Sequence, residues 1–307
     1  MYPTRRFRLL EYHGHMLSDA PRVAAFREAL EATVTPGARV LDIGTGTGIL
    51  AMLAARAGAG RVDAVEVSEV IEIARQLVET NELRTQVRLH QQLSYHLMLP
   101  ERADVLVTET LGNFGLEEGI LGVALDARFR LLKPGARIIP GKVRLFAAPL
   151  ELEPEHRKVA VWGREVEGID LSPLGTEAAS LLWYVRYPAS AHLAAPAPLG
   201  EVDLHTVTEP RFAGAVEVEL SRAGTLHGFG GTFEAEIAPG RVLGNDPSGD
   251  ATHWRQVFFP LPEPWTLEAG ARVRFEVEME DNGGRWRWSM RAGERHHAAS
   301  TDDATLV

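Results

Sequence analysis

The stretch "VLDIGTGTGIL", residues 40–50, leaves a chain few ways to fold. An apolar run suited to a buried strand enters three closely spaced glycines, Gly44, Gly46 and Gly48. The chain then resumes at once as the helix-forming "ILAMLAAR". Glycines at that spacing let the backbone turn sharply and approach a ligand closely at the carboxyl edge of a sheet. The surrounding pattern agrees. Strand-like runs at 38–44, 61–67, 86–92 and 103–109 alternate with helical stretches at 48–57, 69–80 and 117–131. This alternation predicts an α/β domain over about residues 1–140, with a parallel sheet covered by helices on both faces.

Beyond Pro140 the period changes to two, as in "AVEVEL", "GTFEAEI", "RVRFEVEME" and "RWRWSM". Turn residues punctuate these runs, so residues 141–307 are expected to form an antiparallel sandwich or barrel. The stretch 155–196 fits neither half. It carries the apolar cluster "LLWYV" at 181–185, a patch better covered by a partner than by solvent.

Composition narrows the function. The net charge of −10 argues against nucleic acid and anionic membrane surfaces as partners. The absence of cysteine excludes disulfides, thiolate metal sites and thiol nucleophiles, and no metal site is expected. "MYPTRRFRLL" has no apolar segment behind its basic residues, and the longest apolar stretch is broken by Arg56. A cytoplasmic protein is therefore expected.

The nicotinamide fingerprint would place a third glycine at position 49, which is isoleucine. The spacing G-x-G-x-G, with Asp42 two residues before it and Glu66 ending the next strand, instead resembles motif I of class I S-adenosylmethionine-dependent methyltransferases. After the fourth strand, "TETLGNFGLEEGI" (108–120) sets Glu109 and Glu118 nine residues apart. This resembles the double-glutamate loop of protein arginine methyltransferases. The likeness continues in "HGHMLSDAPR" (13–22), "LKPGARIIPGK" (132–142), "VWGREVEGIDLS" (161–172) and the Thr252–His253–Trp254 loop of "THWRQVFF". The chain resembles a divergent, bacterial-type member of that family with a shortened N-terminus.

The resemblance implies a Rossmann-like methyltransferase domain, then a β-barrel carrying a helical dimerisation arm, and a head-to-tail homodimer. It implies S-adenosylmethionine as cofactor. Arg22 would meet its methionine carboxylate, Asp42, Gly44, Gly46 and Gly48 would form its cradle, and Glu66 would hold the ribose. Ser94 and Tyr95 would border adenine. Glu109 and Glu118 would bind the acceptor guanidinium, Asp19 and His253 would relay a proton, and Met16 and Trp254 would flank the acceptor. Two departures stand out. The family's first helix is nearly absent here, which predicts a more open cofactor pocket. Thr110 and Asn113 replace aromatic residues of the loop, which predicts a wider arginine slot.

Physical chemistry supports the double-glutamate reading. Two carboxylates about 5 Å apart at an effective dielectric near 20 repel by roughly 3 kcal/mol. A guanidinium resolves that conflict, since its planar donors can meet both acids. The expected reaction is methyl transfer to an arginine nitrogen of a protein or peptide. Two rival readings stand beside it: another amine acceptor, on a natural-product peptide or small molecule, and a catalytically silent cofactor-binding module.

Overall fold

The computed structural model describes residues 5–303. Two helices, α1 (Arg5–Ser18) and α2 (Ala20–Thr33), precede a five-stranded parallel sheet. Its strands are β1 (Arg39–Ile43), β2 (Arg61–Glu66), β3 (Val87–Gln91), β4 (Ala103–Thr108) and β5 (Leu132–Ile139), in the spatial order β3-β2-β1-β4-β5. Helices α3 (Ile49–Arg56), α4 (Ile71–Thr80) and α5 (Ile120–Asp126) connect them. Asp42 lies opposite both Ala64 of β2 and Val107 of β4, so these three strands end level with one another. Strand order reverses between β1 and β4, the place where α/β sheets open a crevice at their carboxyl edge. The three segments leaving that edge carry the glycine turn, Glu66 and Glu109.

Cis-Pro140 separates β5 from the first antiparallel strand, β6 (Lys142–Leu150). A projecting segment follows: α6 (Glu153–Ala160), a small hairpin of β7 (Glu165–Val166) and β8 (Ile169–Asp170), and α7 (Gly175–Ala179). The remaining strands are β9 (Trp183–Val185), β10 (Ala197–Asp203), β11 (Phe212–Glu219), β12 (Gly224–Ala238), β13 (Arg241–Gly244), β14 (Gln256–Leu267), β15 (Arg272–Glu280), β16 (Arg285–Ala292) and β17 (Arg295–Ser300).

The expected barrel is not closed. Among the described residues these strands form two antiparallel sheets, β10-β6-β12-β14-β9 with β13 paired to β12, and β11-β15-β16-β17. Strands β10 and β11 are consecutive in the chain but share no ladder, so the two sheets meet as layers rather than as a continuous wall. Aromatic side chains fill the space between them. Phe229 stacks on Phe275 at 4.7 Å between centroids, and Phe259 packs edge-on against Trp288. Strand β12 bends at Gly228, where the register shifts and φ is +154°. A Cβ there would fall 2.1 Å from the Phe259 carbonyl oxygen, so the bend requires glycine.

The arm is shorter than expected. "LLWYV" does not belong to it: Trp183–Val185 is the edge strand β9, paired with Gln256, Val257 and Phe258 of β14. Leu181 and Tyr184 of that run are nonetheless exposed, and further exposed apolar surface lies on the hairpin and around it, at Trp162, Val166, Ile169 and Leu174. Among the described residues no helix is long and apolar enough to cross a membrane.

Candidate active site

The glycine turn is shaped by what lies beneath and above it. Asp42 is wholly buried below the turn, where its carboxylate accepts the Thr45 hydroxyl at 2.5 Å. Burial pushes its pKa up to about 7. It braces the turn and does not line the cavity above, contrary to the expectation that it touches the cofactor. Gly48 likewise faces away from the cavity. A Cβ on it would sit 3.2 Å from the Ala74 Cβ, so its role is the close approach of α3 to α4. Gly44 and Gly46 do line the cavity, and Glu66 closes its side by accepting the Gly46 and Ser68 amides at 3.1 and 2.8 Å.

The cavity has a roof. Helix α1 runs over the glycine turn and places Tyr12, His13 and Met16 in its wall, and the His13 ring lies 3.3 Å from where a Gly46 Cβ would be. A helix therefore stands where a nearly absent one was expected, although it buries none of its own residues. Ser94 and Tyr95 do not line this cavity. Ser94 is buried with its carbonyl accepting from Arg130, and the Tyr95 hydroxyl packs towards Gly122.

A second cavity, about 690 Å³, opens towards the antiparallel sheets. Its wall shares four residues with the first: Tyr12, Met16, Glu109 and Glu118. The two glutamates therefore stand at the junction. Glu109 is buried and ion-paired with Arg22, which comes from the first turn of α2. Arg22 was expected to meet the cofactor carboxylate. Here its Nη2 donates to Glu109, while its buried Nε has no partner in the structure. Glu118 has no such cation. The residue stays exposed to solvent, yet desolvation of its carboxyl in the cavity wall, together with the Glu109 charge, pushes its pKa up to about 7, and Arg22 opposes this. The two ways of relieving carboxylate repulsion, a cation for one acid and a proton for the other, are thus both present.

Glu117 turns Glu118 inward. Its carboxylate accepts the backbone amides of Asn113, Phe114 and Leu116 at 2.7–3.2 Å, curling the loop around itself. Sequence alone suggests an ordinary surface acid at this position. Thr110 does not widen the acceptor cavity, because it lines the cofactor side with its methyl group against Gly44. Asn113 does line the acceptor cavity, but its side chain is engaged, accepting the Arg255 amide at 2.7 Å.

The Thr252–Trp254 loop closes the acceptor cavity from the other side. Asp19 caps α2 by accepting the Arg22 amide at 3.1 Å. Its second oxygen accepts the His253 backbone amide at 2.8 Å and faces His253 Nδ1 at 3.0 Å. Burial would raise the Asp19 pKa, but these bonds outweigh it and hold the carboxyl below its usual range. His253 is lowered by burial, against the pull of Asp19. Trp254 is buried behind it, with the Arg22 guanidinium 5.8 Å from its ring. Tyr184 of β9 adds a wall the sequence reading missed. Burial and the nearby Glu117 and Glu118 push its phenol up to about 12.

Asn245, also missed, ties the two loops together. It is buried, donates to the Asn113 carbonyl at 2.7 Å and the Arg255 carbonyl at 2.5 Å, and accepts the Phe233 amide at 2.9 Å.

Comparison with known proteins agrees with this geometry. Residues 26–139 match the family model for ribosomal protein L11 methyltransferase (PrmA), and residues 142–289 match the arginine methyltransferase oligomerization subdomain. Protein arginine N-methyltransferase 1 of Schizosaccharomyces pombe is 30% identical over 284 residues, covering 90% of this chain and 83% of the relative. The chain belongs to the protein arginine methyltransferase family. Another arginine methyltransferase relative, the arginine N(omega)-methyltransferase of Streptomyces achromogenes subsp. streptozoticus, is 32% identical, covering 88% of this chain and 76% of the relative. The fold matches a solved Trypanosoma brucei structure, the protein arginine methyltransferase 1 enzyme–prozyme heterotetramer with S-adenosylhomocysteine. The TM-score is 0.84 at 28% identity, covering 95% of this chain and 97% of that one.

In this arginine methyltransferase fold, Asn245→Ala strips partners from three backbone groups, the buried Phe233 amide and the partly buried Asn113 and Arg255 carbonyls. It is expected to lower stability by at least about 2 kcal/mol, whereas Asn113→Ala, which frees one amide, costs about 1 kcal/mol. Urea denaturation of both variants measures this, and equal midpoints for Asn245→Ala and the parent would refute the bridging role.

Proposed function

We propose that this protein transfers a methyl group from S-adenosylmethionine to a terminal nitrogen of an arginine guanidinium. The observation that carries the reading is the junction of two cavities at Glu109 and Glu118. Bound S-adenosylmethionine would supply an electrophilic methyl on a sulfonium. The first cavity fits such a group: Gly44 and Gly46 line it with backbone alone, Glu66 offers a carboxylate to hydroxyls, and Arg22, whose Nε has no partner in the structure, supplies a cation to the wall.

Guanidinium is a weak nucleophile because its charge is delocalised. Glu109 and Glu118 hold that charge on the nitrogens they contact, leaving the remaining terminal nitrogen richer in electrons. Holding that nitrogen in line with the reacting methyl can account for about 7–11 kcal/mol of the barrier. Glu118, or His253 backed by Asp19, accepts the proton that the nitrogen loses. Glu109→Gln and Glu118→Gln should each lower turnover at least about tenfold, roughly 1.4 kcal/mol. Both should keep their calorimetric affinity for S-adenosylhomocysteine, which Glu66→Ala should lose. Full turnover in either glutamine variant would sink the mechanism.

The raised Glu118 pKa sets a pH dependence. Below about 7 the group is protonated and cannot hold a guanidinium charge, so kcat/KM should fall as pH drops through that value. A pH–rate profile that stays flat between about pH 6 and pH 8 would contradict this role.

The oligomerisation match and the exposed apolar side chains of the arm support a homodimer. Ile169, 65% exposed at the hairpin tip, is the natural probe. Light scattering should show a dimer that Ile169→Glu converts to monomer. A monomeric parent at micromolar concentration would end this reading.

A further inference from the structure

The wall of the acceptor cavity carries charges of both signs. Glu109 and Glu118 are its acids at the junction with the first cavity, and Glu109 is neutralised by Arg22. Asp19 is also in its wall but is engaged by His253. The same wall carries two exposed guanidinium groups, Arg186 after β9 and Arg255 after the Thr252–Trp254 loop. Arg186 uses one nitrogen, Nη2, to hold the Thr252 and His253 carbonyls at 2.9 and 3.0 Å. Its other N–H groups, and the whole Arg255 guanidinium, have no hydrogen-bond or ion-pair partner among the described residues. A cavity of about 690 Å³ whose wall combines the Glu118 carboxyl, without a cation partner among the described residues, and two guanidinium groups with free N–H donors is suited to a ligand that carries both charges.

A ligand of that kind has a guanidinium at one end and an anion at the other. An arginine that keeps its α-carboxylate has this polarity, with roughly 7–8 Å between the two charged ends when extended. An arginine inside a peptide chain does not, because its carboxylate has become an amide. A cationic arginine-rich peptide would meet Arg186 and Arg255 as like charges at the entrance. Resting on the guanidinium methylation proposed above, we infer that the preferred acceptor is an arginine with a free α-carboxylate, either the free amino acid or a C-terminal residue, and that Arg255 and Arg186 bind that carboxylate. The planar guanidinium fork matches a carboxylate in two parallel hydrogen bonds, which fixes the acceptor's orientation as well as its affinity. This recognition happens at the end of the acceptor remote from the reacting nitrogen, so it changes acceptor choice without altering the chemical step.

The test compares initial rates of methyl transfer from labelled S-adenosylmethionine to five guanidines: L-arginine, agmatine, L-argininamide, a peptide with C-terminal arginine and one with internal arginine. L-arginine or the C-terminal peptide should exceed agmatine and L-argininamide in kcat/KM at least tenfold, and those two arms tell the free amino acid from a chain end. Arg255→Gln should lower the ratio of kcat/KM for L-arginine over that for agmatine about tenfold. Equal rates on L-arginine and agmatine, a ratio unmoved by Arg255→Gln, or a preference for the internal-arginine peptide would each overturn the carboxylate inference and leave guanidinium methylation standing. No transfer to any of the five, with S-adenosylhomocysteine still bound in calorimetry, would overturn the proposed methylation itself.

Discussion

The buried ion pair between Arg22 and Glu109 is the contact on which the site depends. It joins the first turn of α2 to the end of β4 and lies beneath the junction of the two cavities. An ion pair this deep contributes little net stability, because desolvation of both groups offsets their attraction. Removing one partner is another matter, since it would strand a charge inside the protein. The pair therefore acts mainly as a constraint on position. It fixes one carboxylate beside the reacting groups and leaves Glu118, its neighbour, as the acid free to respond to a ligand.

Everything else in the site is arranged by the level ends of three parallel strands. The register of β1 against β2 and β4 brings the glycine turn, Glu66 and Glu109 to one edge. The antiparallel sheets then supply the opposite wall through Tyr184 and the Thr252–Trp254 loop. Asn245 fastens that wall to the double-glutamate loop with bonds to backbone atoms, so loop spacing does not rely on side-chain contacts alone.

How much of this could be read from the chain depended on how local each interaction is. The α/β alternation, the glycine turn and the spacing of Glu109 and Glu118 are short-range patterns, and the parallel sheet follows from them. Asp19 and His253 were paired by resemblance, and the structure brings them to 3.0 Å across 234 residues. Asp42 and Gly48 were placed on the cofactor because the motif contains them, yet a motif does not say which side of a turn a residue faces. The Tyr12 and Met16 side chains share one face of α1 by their four-residue spacing, but nothing in sequence told that this helix covers the cavity. "LLWYV" misled for a related reason. An apolar run of five residues reads equally as part of an arm or as an edge strand, and pairing with β14 makes it the strand, with Leu181 and Tyr184 left exposed. Asn245 and Glu117 carry no local signal, because a polar residue's value lies in backbone groups that folding brings to it.

Asp19 serves two structures with one carboxylate. One oxygen starts α2 and the other holds the His253 loop. Ordering of the N-terminal helices and docking of the far loop are therefore thermodynamically linked. The coupling is reciprocal: the helix favours docking of the loop by the same free energy as the docked loop favours the helix. A ligand that orders α2 thus favours the docked His253 loop through Asp19, a side chain that starts the helix and lines the acceptor cavity.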